Sequence, residues 1–137
     1  MTGERLLKWI LTLVGCVLLS AAFFVFLPTP WMARTHRALG LGDFPDAPLT
    51  QYLTRSIAAL YATHGVFVLL AASDVRRHLG LVRAIGATDM AFGVAMLGID
   101  LHAGMPTWWT LIEGPPLLAV GGLVLVLAGR LAPPARS

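Results

Sequence analysis

Of the 137 residues in this chain, 57% are apolar and 12% charged, about half the charged fraction of ~25% found in soluble domains. A water-soluble protein of this size has too small an interior to hide that much apolar surface, so the composition excludes an ordinary soluble fold and points to lipid as the solvent. The formal charge of +3 does not argue for a nucleic-acid partner, because the basic residues flank apolar runs where membrane topology accounts for them.

A membrane-spanning helix needs about 20 mainly apolar residues. The first such run covers residues 6–27 and is stopped by Pro28 and Pro30. Arg5 and Lys8 ahead of it resemble the start of a signal peptide, and Leu13-Val14-Gly15-Cys16 fits a lipoprotein cleavage box. The chain stays apolar through Leu27, however, and the run is long enough to span, so an uncleaved helix is expected. Cys16 is the sole cysteine. It excludes an intramolecular disulfide and a thiolate zinc cluster, and it reads as a small residue packed between helices.

The segment 28–51 comes next. Thr29 is placed to cap a short helix over residues 30–39, with Pro30 at its first position and Gly40 just past its end. At 100° per residue, Trp31, Met32, Ala38 and Leu39 share one face and Arg34, His36 and Arg37 take the other, the pattern of an amphipathic helix lying in the membrane interface. Residues 42–48 are rich in Gly, Asp and Pro and read as turns.

Three more spans follow, at about residues 52–73, 81–101 and 107–129. The interval 74–80 is short enough to be a tight turn between antiparallel helices. Pro115 and Pro116 interrupt the last run, yet residues 115–129 alone would reach only about 22 Å. A single kinked helix over 107–129 is therefore expected. The fold class is an all-α integral membrane protein, an up-down four-helix bundle in one domain with a short interfacial helix between the first two spans.

Cytoplasmic flanks collect Lys and Arg. Arg5, Lys8, Arg76, Arg77, Arg83, Arg130 and Arg136 lie on one side, and Arg34, Arg37 and Arg55 on the other. This asymmetry puts both termini in the cytoplasm, with the plasma (inner) membrane as the expected location.

Charges inside a bilayer cost at least ~2.5–3.5 kcal/mol on insertion scales, so each needs a reason. Asp89 lies nine residues beyond Gly80, about 13 Å into the membrane, and His64 lies nine residues before Ser73, at nearly the same depth on the antiparallel neighbour. The two form a candidate intramembrane pair, either a polar clamp between helices or a proton-handling couple. Arg55, Asp100 and Glu113 fall together at about 25–28 Å from the cytoplasmic edge, and His102 and His36 lie near enough to join this outer cluster. Its residue types suit a metal or a substrate, but the spacing matches no metal motif, and a salt-bridge layer is the simpler reading. No metal or other cofactor is expected.

The third span is built of small residues. Gly86, Asp89, Gly93, Met96 and Asp100 share one face, and Ala84, Ala87, Ala91, Ala95 and Gly98 the opposite one. Such a helix is either central to the bundle or part of an oligomeric contact. The sequence has no HExxH, CxxC, GxSxG, Walker or dinucleotide motif, and no two histidines at one depth for a haem. The expected function is that of a structural or accessory subunit of a membrane complex or homo-oligomer. The alternative is a small proton-coupled transporter or membrane enzyme that uses His64 and Asp89, or Arg55, Asp100 and Glu113.

Overall fold

A computed structural model gives the fold and describes residues 2–131; Arg136, counted above among the basic flanks, lies outside them. The elements in chain order are α1 (Gly3–Ser20), α2 (Ala22–Phe26), α3 (Thr29–Ala38), α4 (Pro48–Ser73), α5 (Leu79–Ala103) and α6 (Thr107–Gly129). Among the described residues there is no strand. Four stretches are helical, long and apolar enough to cross a membrane: Gly3–Phe26, Pro48–Ser73, Leu79–Ala103 and Thr107–Gly129.

The first stretch is broken once. Ser20 turns its hydroxyl back to the Val17 carbonyl at 2.6 Å, and the Ala21 amide bonds the Leu18 carbonyl instead. A serine that bonds backward in this way loosens and bends a helix, which separates α1 from α2.

Helix α3 begins differently from the sequence expectation. Thr29 is its first residue rather than its cap: Pro28, with ψ 139°, is the flanking residue, and the Thr29 hydroxyl donates to Gln51 Oε1 at 3.3 Å. The fixed geometry of Pro28 sets the start without a side-chain cap. The end is as expected. Gly40, at φ +72°, closes α3, its amide bonding Arg37 O while the Leu41 amide bonds His36 O, which satisfies carbonyls that a helix end leaves open. Of the expected apolar face, only Met32 is buried, while Trp31 stays 62% exposed.

The molecule divides into two compact units, one drawn from Met1–Leu13 and Val68–Ser137, the other from Val14–Phe67. In the first, Leu7, Leu11, Val68, Val82 and Val124 are fully buried. The α4–α5 turn is held by Asp74, whose side chain accepts from the Arg77 amide at 3.0 Å and whose carbonyl accepts from the His78 amide. Helices α5 and α6 pack backbone to backbone through two pairs of glycines. A Cβ on Gly121 would stand 2.7 Å from Gly86 O, and one on Gly93 would stand 3.0 Å from Gly114 O. Within each helix the two glycines are two turns apart, so both contacts fall on one seam.

In the second unit the close approach is made by Gly65 of α4, where a Cβ would meet Leu19 N at 2.6 Å and Gly15 O at 2.9 Å. Cys16 is exposed, so the expectation that it packs between helices is corrected: the step of 100° from Gly15 carries its side chain off the seam.

Candidate functional site

Helix α5 carries the most unusual side chains. Its buried face includes Val82, Ile85, Gly86, Asp89, Gly93 and Asp100, so two carboxylates lie inside a helix of span length and composition. The glycines explain how they are tolerated there. Where α6 approaches within backbone contact, no lipid-sized gap remains, and acidic groups on the same face are shielded.

Asp89 is 8% exposed, and His64 on α4 is half-buried. Neither is without an interaction partner. The two belong to different units.

Asp100 is buried more deeply, at 2% exposure. Its backbone carbonyl accepts from both Gly104 and Met105 amides, and Gly104, at φ +67°, supplies the left-handed residue that ends α5. Its carboxylate oxygen Oδ2 is buried with no hydrogen-bond partner. A carboxylate in the last turn of a helix also meets the negative end of the helix dipole.

Glu113 of α6 is half-buried and accepts a hydrogen bond from Trp109 Nε1 at 2.6 Å, one turn earlier on the same helix. It is near enough to Asp100 for their charges to interact. Asp100 and Glu113 are therefore neighbouring acids in the first unit. His102 is exposed: two residues beyond Asp100 is about 200° around a helix, which carries it to the other side. Arg55, in the second unit, gives its guanidinium to the Val25 and Leu27 carbonyls at the end of α2, the latter at 3.1 Å. His36 bonds Gly42 O through Nδ1 at 3.0 Å and stands edge-on to Phe44, which secures the α3 exit. Among the described residues, no three His, Cys, Asp or Glu side chains are grouped so as to hold a metal ion.

Two features escaped the sequence reading. Gly114 and Gly121 repeat the seven-residue spacing of Gly86 and Gly93, and that shared interval was the available signal for the seam. The Trp109–Glu113 bond was also legible as an i, i+4 pair, once Thr107–Gly129 is taken as one helix. Compared with known protein families, with curated proteins and with solved structures, the chain matches none of them.

Proposed function

We propose that this chain is an integral membrane protein of the plasma (inner) membrane, an up-down bundle with α3 in the outer interface and both ends cytoplasmic. It acts there as a structural or accessory subunit, assembling with copies of itself or with a larger complex. The observation that carries this reading is the outward face of α5. Ala84, Ala87, Ala91, Ala95 and Gly98 are all exposed, and nothing lies within 4 Å of where a Gly98 Cβ would be. The ridge is therefore not the seam to α6. Lipid alone gives no reason for small residues at this spacing, whereas a neighbouring helix does, because small-xxx-small rows let backbones come close.

Native mass spectrometry on protein solubilised gently from its own membrane tests this. The expected result is a fixed stoichiometry, either several copies or a companion chain, that is lost in Ala91→Leu. A wild-type protein that is monomeric and alone would overturn it.

A second reading, a proton-coupled transporter or membrane enzyme, is favoured by one observation: Asp89 is kept 92% buried at a depth where an ionisable group is expensive. On that reading His64 and Asp89 exchange a proton, and Asp89→Asn folds normally yet abolishes substrate-linked proton flux in vesicles. An Asp89→Asn protein with normal assembly and normal flux would leave Asp89 as a structural clamp only.

A further inference from the structure

At the basic end of the first unit, α1, the α4–α5 turn and the end of α6 border an open cavity of about 420 Å³. Gly3, Glu4, Arg76, Leu127, Arg130 and Leu131 are among its lining residues. The lining is graded, with two guanidinium groups and one carboxylate set beside two leucines. Arg76 Nε is bonded to Glu4 Oε2 at 2.9 Å, which leaves the terminal nitrogens of the guanidinium for another acceptor. Neighbouring cations are otherwise occupied: Lys8 bonds Ser73 O at 3.4 Å, and Arg83 bonds Ala128 O at 3.3 Å. Arg76 and Arg130 are the two cations of the lining.

The geometry points to a binding site for the phosphate of an anionic glycerophospholipid headgroup. Two arginines on one phosphate make a strong, directional contact, and basic pockets between spanning helices on the cytoplasmic side are suited to anionic headgroups. The volume is enough for roughly a dozen water-sized groups, which fits a phosphodiester with its glycerol but no folded peptide. Leu127 and Leu131 give the glycerol and first methylenes an apolar wall. Glu4 lowers the net charge to +1 and keeps Arg76 in place when the site is empty of lipid. This inference goes beyond the assembly role and rests only on the basic end lying at a membrane surface.

Native mass spectrometry in detergent, with phosphatidylglycerol and phosphatidylcholine of identical acyl chains, tests it. Wild-type protein is expected to retain phosphatidylglycerol preferentially. Arg130→Gln weakens that retention about fivefold, the effect of one charge near the surface, and Arg76→Gln with Arg130→Gln removes the preference. Glu4→Gln strengthens retention, because it removes the competing carboxylate. Arg77→Gln, with the same charge change at the same end but outside the cavity, leaves retention within twofold. Glycerol 3-phosphate at millimolar concentration fails to displace the lipid; displacement would mean that a soluble phosphate is the ligand and would overturn the lipid assignment. Equal retention of both lipids, or an effect of Arg77→Gln equal to that of Arg130→Gln, would overturn the site. A chain that stays in solution without detergent would instead sink the membrane reading itself.

Discussion

The two faces of α5 are both made of small residues, and they do opposite things. On the inner face Gly86 and Gly93 meet Gly121 and Gly114 of α6, so small size is consumed by a contact inside the chain. On the outer face Ala84, Ala87, Ala91, Ala95 and Gly98 are exposed, so small size is left available for a neighbour. A row of small residues therefore does not define a role by itself. Its role depends on whether a second helix has already taken the space, which separates folding from assembly along one helix.

The sharpest way to break this comparison is on the inner face. Gly121→Leu forces a branched side chain where even a Cβ would stand 2.7 Å from Gly86 O, and backbone cannot yield as a flexible side chain does. A loss of about 3 kcal/mol or more is expected, read as unfolding at much lower denaturant in detergent. A loss below about 1 kcal/mol would show that the seam is looser than described.

A smaller effect is expected at the outer end of the same seam. Trp109→Phe keeps the ring and removes the donor to Glu113, at a cost of about 1.5–3 kcal/mol for a bond to a charged acceptor. The same change in Glu113→Gln protein should cost less, and equal costs in both backgrounds would mean that the bond contributes nothing specific.

Asp100→Asn works in the other direction. The carboxylate has a buried oxygen without a partner and lies near a second acid, so removal of its charge is expected to stabilise the protein by about 1 kcal/mol. A destabilised Asp100→Asn protein would show that the charge serves a stabilising contact.

The smallest effect belongs to the outer face. Ala91→Leu should change the stability of the isolated chain by less than about 0.5 kcal/mol while dispersing the assembly. If it also unfolds the chain, the two faces are not separable and the contrast fails.

The parts that sequence alone made legible are those governed by one-dimensional signals. Helix α6 occupies Thr107–Gly129 as the hydropathy run implied, and it continues through Pro115 and Pro116. Helix α4 starts at Pro48 rather than near Tyr52. Hydropathy reports where lipid-like composition begins, whereas the helix begins where proline can first enter it. The break after Ser20 was not legible, since it depends on one hydroxyl choosing a local carbonyl. Depth counting grouped Asp100 with Glu113, two acids whose charges do interact. It gave no warning that His102 faces away, because depth carries no angle. Nor did it assign Arg55, whose guanidinium is taken up by the Val25 and Leu27 carbonyls.

The two prolines of α6 have one more effect. With no amide at 115 or 116, the carbonyls of Leu111 and Ile112 lose their usual partners one turn further on. They immediately precede Glu113, which is only half-buried. Covalent structure thus sets two backbone acceptors beside a carboxylate that already holds the Trp109 donor, and this rung of the helix is more polar than the turns on either side.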